Sequence, residues 1–403
     1  MKRANIFLII VLWAVMAGCG ENRQSTDDFI IVDVTKSYPQ KELILQDFLD
    51  VEYIPLETND DFVTIANIQA IGKEFIIVQN ILDGDIVFFD RTGKGLRTIN
   101  RMGQGPEEYL RIGSPGGVVL DENNNELYVH DVFQHKILVY DILGNFKRSF
   151  PIKDGRSYSY ITVFDYDNLI CHLSNLHIVA LMNPDIEYEK NAFWIISKQD
   201  GSGTREIEIP YKERKAMYLE IDRNNERIFT SEPVRDTQKI PFRESYILVE
   251  VSSDTIYRYF PDHSMIPFIV RTPSIRSMDP EVFLIPSMLT DRYYFMQSIK
   301  KVATVQDRAF PRTELMYDRQ DKAIFETVVY NDDFSNKKRV RMWNESSVTH
   351  LINSEDIVFA QKLEAYDLVE AYKNGQLKGK LNEIAATLDE EDNAVIMVAR
   401  NKK

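Results

Sequence analysis

The chain has little cysteine: Cys19 and Cys171 are the two in 403 residues. A disulfide framework is therefore excluded, and no Cys-x-x-Cys motif for a metal or for redox chemistry occurs. Histidine is scarce as well. The six, His130, His135, His172, His177, His263 and His350, include no i, i+4 pair, so helical zinc spacing is missing. There is no Gly-x-Ser-x-Gly elbow, and the nucleophile signature of a hydrolase is absent with it. Positive charge is in deficit, 48 Lys and Arg against 62 Asp and Glu, for a formal charge of −14. Nucleic acid, which needs a basic footprint, is excluded as a partner, and so is adhesion to an anionic membrane by charge. The one long apolar run, Ile6 to Val15, has ten residues. A spanning helix needs about 20. Glycine and proline are modest, while Tyr, Phe, Ile and Val are abundant. A protein so composed must be held by its apolar core.

What is present begins at the first residue. Met1, Lys2 and Arg3 form a basic start, the apolar run follows, and Met16-Ala17-Gly18 leads into Cys19. A basic n-region, a short apolar segment and small residues at the cut define a secretory signal. With Cys at the cut, the pattern resembles the lipobox of bacterial lipoproteins, which implies that Cys19 is the site of lipid attachment. A plain secretory signal beside a chance Cys is the alternative. Residues 1–18 are read as the signal peptide and residues 19–28 as a flexible tether, polar and without apolar period. Removing residues 1–18 leaves 385 residues and a charge of −16. Gly20 after the Cys is no Asp-type retention signal, which by analogy favours the outer membrane. The weakly acidic stretch after Cys19 leans the protein to the periplasmic side.

The rest of the chain repeats. Phe75-Ile-Ile-Val78, Asp85-Ile-Val-Phe-Phe89, the turn Asp90-Arg-Thr-Gly93 and Leu96-Arg-Thr-Ile99 reappear 51 residues later. The second set is Glu126-Leu-Tyr-Val129, Lys136-Ile-Leu-Val-Tyr140, Asp141-Ile-Leu-Gly144 and Phe146-Lys-Arg-Ser-Phe150. In each turn the Asp can bond its own backbone and the Gly supplies positive φ. Fainter copies follow at Asn191–Ile209, Ser245–Tyr259 and Asp291–Val329. A period near 50 in short antiparallel strands marks a β-propeller. The division predicts an all-β, six-bladed β-propeller over residues 29–403, with seven blades as the variant. A helical insert near 361–389 is predicted from Leu363, Tyr366, Val369 and Tyr372, then from Leu377, Leu381, Ile384, Ala385 and Leu388, with Gly375 between. The last strand, Ala394–Ala399, is expected to close the ring by pairing with 29–34 or 51–56.

Val51-Glu-Tyr-Ile-Pro-Leu-Glu-Thr58, Asp90-Arg-Thr-Gly-Lys-Gly-Leu-Arg-Thr-Ile99, Gly103-Gln-Gly-Pro-Glu-Glu-Tyr109 and the tail Leu388–Ile396 are similar to the six-bladed β-propeller lipoproteins of Bacteroides-type bacteria. Ala394 stands where that family usually has Pro. NHL-like and TolB-like propellers are the wider relatives. The resemblance implies a fold and a location but no activity.

The candidate ligand loop is Gly103–Tyr109, where Arg101, Gln104, Glu108 and Tyr109 would offer hydrogen-bonding groups and a flat ring at a blade rim. It lacks the Lys-Ser/Thr of a phosphate loop, and a tight inter-blade turn is its bland reading. Asp121-Glu-Asn-Asn-Asn125 starts like a calcium loop but lacks the later Gly and Glu, and reads as a solvated hairpin turn. Cys171 lies in a strand-like run beside His172, which would point to the opposite face, so it reads as a small buried apolar residue. Trp194, Trp343, Tyr158, Tyr160, Tyr293 and Tyr294 could stack a sugar but serve equally as blade packing. No catalytic residue, no cofactor and no protein metal site is assigned. The expected function is a cell-envelope binding module for a glycan, a peptide or a partner protein, tethered to the membrane by lipid and monomeric. The alternative is an envelope lyase or hydrolase with a divalent cation at the propeller axis.

Overall fold

A computed structural model of the chain describes residues 29–402, apart from 114–115, 153–157, 174–190, 214, 216–217, 223–226, 232–238, 303–309 and 343–356. The expected signal peptide and tether, Cys19, His177, His350 and Trp343 lie outside the described residues. Of Tyr160, only the backbone is described.

The strands are apolar on both faces, and this decides the architecture. Ile86, Val87, Phe88 and Phe89 are consecutive and all buried. Successive side chains on a strand point to opposite faces, so such a run belongs to a sheet covered on both sides. Val87 and Phe89 join Ile54, Ile396 and Val398 in one core. Ile86 and Phe88 join Leu127, Val129 and Leu138 in the next. Each sheet is thus packed between two neighbours, and six such sheets close into a ring, a six-bladed β-propeller.

The chain enters along the rim. β1 (Ile30–Asp33) and β2 (Gln40–Ile44) precede the short helix α1 (Leu45–Phe48) and β3 (Leu49–Pro55). Blade 1 is β4 (Asn67–Ile71), β5 (Phe75–Asn80), β6 (Asp85–Asp90) and β7 (Gly95–Ile99). Blade 2 repeats it 51 residues on as β8 (Val118–Asp121), β9 (Glu126–Asp131), β10 (Lys136–Asp141) and β11 (Phe146–Pro151). Blade 3 is β12 (Tyr158–Val163), β13 (Asn168–Leu173), β14 (Phe193–Ser197) and β15 (Gly203–Ile207). A separate hairpin, β16 (Tyr218–Asp222) and β17 (Arg227–Ser231), follows. Blade 4 is β18 (Lys239–Phe242), β19 (Ser245–Leu248), β20 (Thr255–Tyr259) and β21 (Met265–Thr272). Blade 5 is β22 (Val282–Leu289), β23 (Tyr293–Lys300), β24 (Arg312–Asp318) and β25 (Ala323–Asn331), with β26 (Lys338–Val340) on its edge. Blade 6 joins β27 (Ile357–Leu363) and β28 (Val395–Asn401) to β3, so strands from both ends of the chain share it. Pairing runs antiparallel from Val395↔Pro55 to Asn401↔Leu49.

The closing strand therefore pairs with the second of the two N-terminal segments considered. The first segment does something else: β1 adds in parallel to β21 of blade 4, and β2 in parallel to β25 of blade 5. The predicted helical excursion is present as α2 (Ala365–Lys373) and α3 (Gly379–Ala385), between β27 and β28. Gly375, at φ 63°, ends α2. The predicted stripe Leu377, Leu381, Ile384 and Ala385 is buried; in α2 the stripe is rotated, with Leu368 and Val369 buried while Tyr366 and Tyr372 are exposed.

The Asp-x-x-Gly turns are also the joints between blades. Asp90 accepts from the backbone N–H of Thr92 at 2.7 Å and of Lys94 at 3.1 Å. Gly93 sits at φ 89°, and a Cβ there would lie 2.0 Å from the Pro55 carbonyl oxygen of blade 6. Gly144 packs likewise on Ile99 of blade 1, and Gly201 on Phe150 of blade 2. Arginines reinforce the joints at equivalent positions. Arg97 donates to the Ile142 carbonyl at 2.8 Å, and Arg148, 51 residues on, donates to the Lys198 carbonyl at 2.8 Å.

Candidate functional site

Successive strands in a blade alternate in direction, so the turns after the innermost strands gather around the axis at one face of the ring. There they enclose a cavity of about 300 Å³ to which all six blades contribute. Lys73 comes from blade 1, Asn123 from blade 2, Thr162 from blade 3, Arg243 from blade 4, Asp291 from blade 5 and Asn401 from blade 6.

Cross-blade hydrogen bonds hold this mouth in shape. The Glu122 carboxylate of blade 2 accepts from the backbone N–H groups of Lys73 at 2.8 Å and Glu74 at 2.9 Å, in the turn of blade 1. Lys198 of blade 3 donates to Asp121 of blade 2 at 2.6 Å, and both side chains are buried. The sequence reading of 121–125 as a solvated turn therefore holds for Asn123 and Asn125 but not for Asp121. Its partner lies 77 residues away, and no local pattern announces it. Tyr246 of blade 4 donates to the Val163 carbonyl of blade 3. Lys239, fully buried at the start of β18, donates to Thr162 Oγ1 at 2.5 Å and to the Ile170 carbonyl at 3.2 Å. Burial pulls its ammonium down to about 7. Arg243 reaches Asp291 at 3.2 Å, and the Asp291 N–H donates to Asn401 Oδ1 at 3.1 Å.

The aromatic side chains of the mouth are occupied by the protein itself. Phe164 lies between Tyr246, 6.0 Å away at 28°, and His263, 5.6 Å away at 14°. Phe242 meets Tyr294 edge to face. Polar side chains of both signs are exposed there, Lys73, Asn123, Arg243 and Asp291, beside partly accessible apolar groups such as Val163, Pro241 and Val358. Arg243 is held at φ 53°, a left-handed conformation that a long side chain adopts at a cost of about 1 kcal/mol or more. Its guanidinium pairs with Asp291 and lies 5.3 Å from the Phe242 ring centre.

The loop singled out in sequence lies elsewhere, in the connection from blade 1 to blade 2, and most of its groups are engaged internally. Arg101 donates to the Gly144 carbonyl at 3.0 Å. Glu108 accepts from the Gly105 N–H at 2.7 Å. Tyr109 is fully buried, donates to the Gly84 carbonyl at 2.7 Å and stands edge-on to Tyr140, so its ring presents no face to a ligand. Burial pushes its hydroxyl up to about 12. Gln104 is exposed. Cys171 is wholly buried and burial pushes its thiol up to about 12, which fits a packing role. His130 is buried and burial pulls it down to about 4, so it is neutral at pH 7. Among the described residues no group of three or more His, Cys, Asp or Glu could hold a metal ion. Nor is any helix among them long and apolar enough to cross a membrane.

Residues 29–400 match a family described as a domain of unknown function (DUF4934). No curated protein matches the chain. Among solved structures, a protein from Bacteroides fragilis described as exported is similar over 90% of this chain and 99% of its own, at 16% identity and a TM-score of 0.61. A duf4221-family protein from Bacteroides vulgatus covers 89% of this chain and 99% of its own at 12% identity, with a TM-score of 0.41. Virginiamycin B lyase from Staphylococcus aureus covers 88% and 100% at 11% identity, with a TM-score of 0.31. The first likeness is one of fold; the other two are looser.

Proposed function

The chain belongs to the DUF4934 family, and from that premise we propose that it is an exported lipoprotein of the cell envelope that binds a glycan, peptide or protein partner at its axial mouth. The basic start, apolar run and lipobox ending in Cys19 support export and lipid attachment. The exported description of the Bacteroides fragilis protein points the same way. Gly20 after Cys19, no Asp-type retention signal, supports the outer membrane, and the weakly acidic stretch that follows supports its periplasmic side; NHL-like and TolB-like propellers are the wider kin.

One observation carries the binding role. Six blades converge on a cavity of about 300 Å³ whose exposed polar groups are an arginine, a lysine, an aspartate and an asparagine. That volume sits at the small end of ligand sites. It accommodates one sugar ring or one polar side chain of a larger partner. Since the aromatic faces are covered, recognition rests on hydrogen bonds and charge rather than on stacking. Lys73 and Asn123 offer donors, and the Arg243–Asp291 pair offers a donor and an acceptor side by side.

A thermal-shift screen of free monosaccharides, disaccharides and short peptides tests this reading. A ligand of the mouth raises the melting point of the wild type by mass action and leaves that of Lys73→Ala/Asn123→Ala unchanged. Both side chains are exposed, so the double variant keeps the ring. Equal shifts in both proteins would locate binding elsewhere.

A further inference from the structure

The face opposite the cavity carries an apolar crest. It is built from the second-to-third-strand turns of blades 1 and 2 and from the connections that flank them. Leu82 and Phe133 occupy equivalent places in those turns, 51 residues apart, and are 85% and 61% exposed. Val63, Ile65, Met102 and Leu110 are exposed beside them.

Hydrogen bonds tie these loops into one surface. Asn80 Oδ1 accepts from the Ile65 N–H, and Asn80 Nδ2 donates to the Val63 carbonyl. Asn100 donates to the Asp83 carbonyl. Asp131 accepts from the N–H groups of both Leu110 and Phe133. The Arg111 guanidinium lies 5.6 Å from the Phe133 ring centre. Backbone groups satisfied beneath outward-pointing apolar tips are what a loop needs in order to enter an apolar medium. An exposed apolar cluster of this kind marks a contact surface.

We propose that this crest rests in the interfacial layer of a lipid bilayer, so that the axial mouth faces away from the membrane. The proposal rests on the lipid-anchored reading. Two features favour a bilayer over a protein as occupant. The exposed tips are carried by separate loops, at Val63 and Ile65, Leu82, Met102 and Leu110, and Phe133, rather than by one continuous strand or helix face. The anchor also holds a bilayer within reach: nine residues separate Cys19 from Phe29, a span of at most about 35 Å when extended. The chain enters the fold at mid-height on the outer edge of blade 4, across the ring from blade 1, where β1 runs in parallel with β21 toward the crest face, and a tether of that length reaches either face from there. The anchor supplies the bilayer, and the crest decides which face of the disc meets it, leaving the mouth open to solutes.

Every blade lies within residues 29–402, so the chain from residue 20 onward carries the whole fold without an acyl group. Co-sedimentation of that chain with vesicles of phosphatidylethanolamine and phosphatidylglycerol reads the crest alone. Binding is expected for the wild type, and a loss of about a hundredfold for Leu82→Asp/Phe133→Asp. Unchanged melting of the variant shows that it is folded. No vesicle binding by the wild type, or binding that survives both substitutions, overturns the proposal. So does a wild-type dimer in ultracentrifugation that the same variant dissolves, which would make the crest a protein interface. Mass measurement of Cys19 in the envelope-extracted protein judges the anchor separately. An unmodified Cys19 would remove the anchor while the vesicle result still decided the crest.

Discussion

At the junction of blades 2 and 3, Glu126 is the hub of a buried ionic cluster. Its carboxylate accepts two bonds from Arg148, at 2.7 and 2.8 Å, one from Lys147 at 2.5 Å and one from Tyr128 at 2.5 Å. Arg148 in turn donates to the Lys198 carbonyl of the next blade. Burial alone would push the Glu126 carboxyl up, but Arg148, Lys147 and Tyr128 outweigh it and hold it at about 2, against an ordinary 4.5. A gap of that size corresponds to roughly 3 kcal/mol, reduced to about 2 kcal/mol because the Arg148 and Lys147 side chains reach solvent. The unfolded chain takes up its proton near 4.5 and the folded one only near 2. The stabilisation is therefore complete above about pH 4.5 and drains away as pH falls from there toward 2. Glu126→Gln has no carboxylate to titrate. Urea unfolding of both proteins between pH 7 and pH 3 should show the wild type's advantage shrinking by about 1 kcal/mol toward the acid end. An advantage that stays constant over that range would refute the assignment.

Lys239 gives the opposite signature. Its folded value near 7 lies below the ordinary 10.5, so the unfolded chain holds the extra proton between them and stability rises with pH over that window. Urea midpoints from pH 7 to pH 10 should climb more in the wild type than in Lys239→Met, and parallel curves would contradict it. Gly93→Ala should cost about 2 kcal/mol or more, because the new Cβ collides with the Pro55 carbonyl and the backbone is left-handed. Gly375→Ala, left-handed with nothing within 4 Å of a new Cβ, should cost only about 1 kcal/mol. Equal melting-point losses in the two variants would deny the inter-blade joint.

The two clearest repeats were legible because the same residues do the same two jobs in each. Asp90 and Asp141 tie their turns, while Gly93 and Gly144 let them dock on the preceding blade. Blade 4 shows why later copies fade. His263, at φ 65°, takes the place of the turn glycine, and its N–H donates to the Phe260 carbonyl as Gly93 does to that of Asp90. The geometry persists after the motif has gone. The parallel additions of β1 and β2 were not legible, since a strand's sequence does not say which of two edges it joins. The axial mouth was invisible for a related reason: its lining comes from residues 73 to 401, in short pieces from each of the six blades. A local motif such as Gly103–Tyr109 drew notice instead, and there the conspicuous glycines, Glu108 and Tyr109 build a connection.

Ring closure underlies both the mouth and the crest, and amide hydrogen exchange on the intact protein tests it most directly. If Leu49–Pro55 is bound into blade 6 by Val395–Asn401, both segments should exchange slowly and together, at the rate of global unfolding. Fast exchange in Leu49–Pro55 while Val395–Asn401 stays protected would mean that the two ends of the chain do not meet.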